Sequence, residues 1–108
     1  MEHSTDGPTI EALTYDYTKN GVLLRKQVDK KVLNRSATWA SVLFVHRDRK
    51  SPETDEWKPP KATLVRYRLK EGMWQKQGNG FNINDLKQLD AMISALREMR
   101  PHMTSFCF

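Results

Sequence analysis

The apolar residues of this chain change their period once, and that change limits the folds open to it. Between residues 21 and 83 they alternate with polar ones, and from Leu86 onward they recur every three or four positions. A period of two builds strands and a period near 3.6 builds a helix. The expectation is an α+β chain: four antiparallel strands forming one sheet, then one C-terminal helix.

The strands can be placed from the alternation. In the first, Val22, Leu24 and Val28 fall on one face, and Leu23, Arg25, Gln27, Asp29 and Lys31 on the other, with a turn at Leu33-Asn34-Arg35-Ser36. The second runs from Trp39 to His46. Residues 51–61 hold Pro52, Pro59 and Pro60 with three acids and read as a loop. The third strand has Thr63, Val65, Tyr67 and Leu69 on one face and Leu64, Arg66, Arg68 and Lys70 on the other. A tight turn at Glu71-Gly72 leads to a fourth, Met73 to Ile83, where Gly78-Asn79-Gly80 predicts a bulge. A weaker alternation of Leu13, Tyr15 and Tyr17 leaves room for a short edge strand.

The helix carries Leu86, Leu89, Ile93 and Leu96, with Met92 and Met99 widening the stripe. Asn84 is the expected N-cap, Asp85 suits the first turn, and Pro101 is expected to end the helix. The stripe is wide enough to serve the sheet and a second copy of the chain. A homodimer through Leu89, Met92, Ile93 and Leu96 is therefore expected. At 108 residues there is room for one domain. It divides into a polar N-terminal arm over 1–20, a sheet-plus-helix domain over 21–100 and a tail over 101–108.

Charge adds a functional direction. The net charge is +5, and it is unevenly spread. Residues 21–80 hold fourteen Lys and Arg against six Asp and Glu, whereas the first twenty residues are net acidic and the last twenty-eight are balanced. One helix covers only part of one face of a sheet, so an open face could carry this excess. Such a footprint fits nucleic acid. Arg66, Arg68 and Lys70 are the sharpest group, because strand spacing sets alternate cations about 7 Å apart on one face. Arg25, Lys31 and Arg47 could extend the patch. Aromatic residues supply the second half of a single-strand site, since bases stack on them. Trp39, Trp57, Tyr67 and Trp74 are candidates, although alternation places Tyr67 with core residues and Trp39 opens an apolar strand. Trp74 and Lys76 share a face.

Enzyme chemistry finds little support. His46 and Asp48 share a strand face, but no third ligand follows at metal spacing, and neither a metal nor a cofactor is expected. Glu53, Asp55 and Glu56 read as a solvated loop. No phosphate-cradling glycine loop or nucleophile–base pair is present. The single cysteine, Cys107, has no neighbour that would activate it, and it allows no internal disulfide. No stretch suits a membrane span or a signal peptide, so a cytoplasmic location is expected, or a nuclear one in a eukaryote.

The run from Glu71-Gly72 through Gly80-Phe81-Asn82-Ile83-Asn84 to Leu96 resembles the C-terminal half of the transcriptional coactivator family called positive cofactor 4, with its bacterial and phage relatives. Arg47-Asp48 also resembles the end of that family's second strand, and the likeness covers roughly residues 40–98. It implies a homodimer of four-stranded curved sheets with helices at the dimer centre and single-stranded DNA gripped by the sheets. Tyr67 would then be a base-stacking aromatic and Arg47 a strand cation. Two departures stand out. Gly78 and Asn79 replace basic residues that the family usually has before the glycine step, and the loop at 49–61 is longer. The expected function is a non-catalytic, sequence-tolerant single-stranded DNA-binding protein of replication, recombination or transcription. The alternatives are an RNA-binding module, a subunit docking an acidic protein partner and, least favoured, a nuclease using the 53–56 acids.

Overall fold

The computed structural model describes residues 9–104. After a short 3-10 turn, Ile10–Ala12, five strands follow: β1 Tyr17–Lys19, β2 Val22–Arg35, β3 Trp39–Asp48, β4 Lys61–Lys70 and β5 Met73–Ile83. One helix, α1 Leu86–Thr104, closes the order. The strands form one antiparallel meander in the order β1-β2-β3-β4-β5, curled into a half-barrel. The count is five rather than four, because Tyr17–Lys19 pairs with the start of β2. Asn20-Gly21 and Glu71-Gly72 make the tightest connections, with positive φ at both central residues of each. That geometry matches the right-handed twist of the strands it joins.

The sheet has an inner and an outer face. β3 sends Ala40, Val42, Phe44 and His46 inward, all buried, and β4 sends Thr63, Val65 and Tyr67 to meet them. The described part of the N-terminal arm covers this face. Ile10 is fully buried, Leu13 and Tyr15 pack on the core, and Tyr15 stacks on Phe44 with ring centroids 4.8 Å apart. Lys30 Nζ, reaching up from β2, donates to the carbonyls of Ile10, Glu11 and Leu13 and pins the segment in place.

Two irregularities correct the expected faces of the first strand. In β2, Gln27 pairs with His46 but Asp29 with Val45, so Val28 is an extra residue. A second shift leaves Leu33 extra, and the strand continues to Arg35 through what looked like a turn. Each bulge moves later residues to the opposite face. Arg25 and Gln27 therefore point inward, whereas Asp29 and Lys31 point outward. The bulge expected at Gly78-Asn79-Gly80 is present opposite Val65. Gly80 has φ +81°, and a Cβ there would stand 2.8 Å from Thr63 Cγ2 and 3.0 Å from the Leu64 carbonyl oxygen, so only glycine fits.

Helix α1 differs from expectation at both ends. Its cap is Asp85 rather than Asn84: Asp85 Oδ1 accepts from the backbone N–H of Gln88 at 2.8 Å, and Gln88 Oε1 accepts from that of Asn84. This is a reciprocal cap one residue further on. Pro101 lies inside the last turn, and the helix ends three residues later at Thr104. The helix also leaves the sheet after its first turns. The Cα radius of gyration is 16.8 Å, against about 13 Å for a compact chain of this length. The molecule is only 19 Å along its thinnest axis. Leu86, Leu96 and Met103 remain 74%, 63% and 73% exposed, so the chain's own sheet leaves part of the apolar stripe open. No helix among the described residues is long and apolar enough to cross a membrane.

Candidate nucleic-acid interface

The outer face takes its side chains from the β3–β4 register, in which Trp39 stands opposite Arg68 and Ser41 opposite Arg66. Across β4, Arg66 faces Gln77 and Arg68 faces Gln75; across β3, Ser41 faces Asn34 and Leu43 faces Lys31. The centre of this face is an aromatic–cation cluster. The guanidinium carbon of Arg66 lies 4.5 Å from the Trp39 ring centroid, and that of Arg68 lies 5.3 Å away. Both arginines are exposed, and neither meets an acid among the described residues. Exposed cation–π contacts are worth only about 0.5–1 kcal/mol. Neither guanidinium is therefore held firmly at the Trp39 ring, which is itself half-buried. Lys31 and Lys70 are exposed on the same side.

The inner face treats its cations differently. Arg25 Nε donates to Asp48 Oδ1 at 3.0 Å, and Lys61 Nζ lies 3.3 Å from Asp48 Oδ2. Burial would raise the Asp48 carboxyl, but the hydrogen bonds and charges of Arg25 and Lys61 outweigh it and hold the group below the usual carboxylate range. Burial lowers the Lys30 ammonium, against a weaker pull from Glu11. Lys76 sits over the Tyr15 ring at 5.7 Å. Arg25, Lys30 and Lys61 are committed to the fold, whereas Lys76 is exposed and has only this ring contact.

His46 also serves the fold. It is 1% exposed, and its Nε2–H donates to Thr63 Oγ1 at 2.8 Å, because the Thr63 hydroxyl itself donates to Asn82 Oδ1 at 2.7 Å. Nδ1 is left bare and buried, 3.7 Å from Asp48 Oδ1. Burial lowers the imidazole pKa, the Asp48 charge opposes this, and Arg25 and Lys61 add to the lowering. The neutral ring is the stable form.

The sequence-derived candidates thus divide. Lys31, Arg47, Arg66, Arg68 and Lys70 lie on the outer face, and Arg25, Tyr67, Trp74 and Lys76 on the inner one. Tyr67 is 6% exposed, and burial, with a smaller push from Tyr15, raises its hydroxyl to about 12. Trp74 packs against the core. Arg47 is occupied in holding the 49–60 loop, donating to the carbonyls of Lys58 at 2.7 Å and Trp57 at 3.3 Å. Trp57 is an anchor of that loop, with Lys26 and Arg49 over its ring at 4.3 and 4.6 Å. Asp55 pairs with Arg49 and Glu56 with Lys50, and the described residues hold no cluster suited to a metal ion. Trp39 is the residue that alternation undervalued. Its parity with Ser41 and Arg47, against Ala40, Val42 and Phe44, marks it as outward-facing.

Beyond the cluster, the outer face becomes apolar towards the helix. Val45, Pro60, Ala62 and Ile83 join Leu86 and Leu89 around a groove of about 540 Å³. No family model matches this chain, and no curated protein or solved structure is detectably similar to it.

Proposed function

We propose that this chain is a non-catalytic single-stranded DNA-binding protein that works as a homodimer and tolerates most sequences. The observation that carries the reading is the Trp39–Arg66–Arg68 cluster, an aromatic ring under two unpaired guanidiniums on the open face of a sheet. Phosphates would be taken by Arg66, Arg68, Lys31 and Lys70, and a base by Trp39. A duplex offers no exposed base faces to such a flat surface, so the single strand is the better fit.

The dimer reading rests on the helix. Ile93 and Leu96 are exposed on a stripe whose Leu89 and Met92 are half-buried, beside an apolar groove of matching character. An apolar stripe of this extent is stable in water only when something covers it, and a second copy supplies the same stripe. The meander-then-helix order also agrees with the resemblance to the positive cofactor 4 family, which directs the proposal towards replication, recombination or transcription. Binding of single-stranded DNA, duplex DNA and RNA at several salt concentrations tests the function. With about four to six phosphates neutralised, log K should fall with log salt at a slope of about −3 to −4. Tighter binding to RNA would reassign the ligand, and no binding to any strand would remove the reading.

A further inference from the structure

The outer face carries a feature that general backbone capture does not require. Beside the Trp39 ring lies a polar pocket of about 190 Å³, lined by Asn34, Arg35, Ser36, Trp39, Ser41 and Arg66. This is about six water volumes at about 30 Å³ each, the scale of one nucleobase and too small for two. Its walls are fixed by the β2–β3 connection. The backbone N–H of Ser36 donates to the Trp39 carbonyl at 2.7 Å, Ser36 Oγ accepts from the Trp39 N–H at 3.1 Å, and Arg35 is tied to Glu11. The Asn34 amide and the Ser41 hydroxyl make no side-chain hydrogen bond within the described residues, and they face each other across the β2–β3 register. An amide offers a donor and an acceptor side by side, which is the pattern a base edge presents.

We propose that this pocket takes one nucleobase of the bound strand, stacked against Trp39 and hydrogen-bonded at its edge by Asn34 and Ser41. The protein then reads the identity of one base within a footprint that is otherwise indifferent to sequence. The proposal rests on the reading of the outer face as a single-strand site. A stacking surface alone accepts every base, because every base has a ring face. Polar groups set by strand register do discriminate, because a mismatched base edge cannot pair with both Asn34 and Ser41.

The test is a scan of the shortest single-stranded oligonucleotide that keeps full affinity, with an abasic site and then each of the four bases at every position in turn. One position should lose about tenfold or more on removal of its base and should distinguish among the four bases. The Asn34→Ala, Ser41→Ala double variant should lose that discrimination while keeping the wild-type salt slope. Trp39→Ala should lose the abasic penalty, and Trp39→Phe, which keeps an aromatic ring, should retain it. A uniform scan on a strand that binds tightly overturns the pocket assignment alone, as does a double variant with undiminished discrimination. A protein that binds no oligonucleotide overturns both this and the reading beneath it.

Discussion

The two faces of this one sheet handle positive charge in opposite ways. On the inner face, Arg25 and Lys61 converge on Asp48, and Lys30 is spent on the carbonyls of the arm. On the outer face, Arg66 and Arg68 meet only an aromatic ring. Adjacent residues show the contrast most sharply: Lys30 and Lys31 follow one another in β2, yet one holds the fold together and the other faces solvent. A count of basic residues cannot make this distinction. What marks a cation as available for a ligand is the absence of a partner, and that is decided by strand register.

The core should respond most strongly to substitution. Phe44→Ala removes a fully buried ring under Tyr15 and should cost about 3–5 kcal/mol in urea unfolding. A loss below about 1 kcal/mol would mean that the arm does not close the inner face. The Lys30 and Lys31 pair comes next. Lys30→Met leaves carbonyls of the arm without their donor and should cost about 1–3 kcal/mol, with faster amide exchange in residues 10–15. Lys31→Met should leave the unfolding midpoint where it is and weaken oligonucleotide binding instead. Equal effects of the two substitutions would erase the distinction between the faces.

A smaller effect should appear with pH. The His46 imidazole is held below its ordinary value of 6.5 in the folded chain. Below that value the unfolded chain binds a proton that the native one does not, so stability is fully present above about pH 6.5 and declines as the pH falls below it. His46→Gln should flatten this part of the profile. Asp48, held below 3.8, adds its own loss only at still lower pH.

Alternation made β3 and β4 legible because both run without interruption, each with one buried and one open face. β2 was not legible. Its bulges at Val28 and Leu33 were hidden, since Val28 is apolar and continues the alternation while Leu33 stood at the head of an expected turn. That hidden shift is why Arg25 and Lys31 looked like neighbours on one patch. Trp74 and Lys76 did share a face, but a face that the arm had already claimed, and Ile10 and Leu13 are too short a signal to announce that. For Tyr67 the alternation with Val65 and Leu69 pointed to the core and the family resemblance to the surface; the structure buries it. The helix was clear from its period, while its cap and its end depended on one hydrogen bond and one proline that periodicity does not resolve.

In the proposed complex the outer face, and not the inner one, meets the strand. Salt titration of single-stranded DNA binding by two double variants tests it most directly. Arg66→Ala with Arg68→Ala should weaken binding to every oligonucleotide and flatten the salt slope by about one to two units. Lys30→Met with Lys61→Met, which removes as much charge from the inner face, should leave the slope at its wild-type value. A slope that flattens for the inner pair and holds for the outer pair would put the strand on the inner face instead.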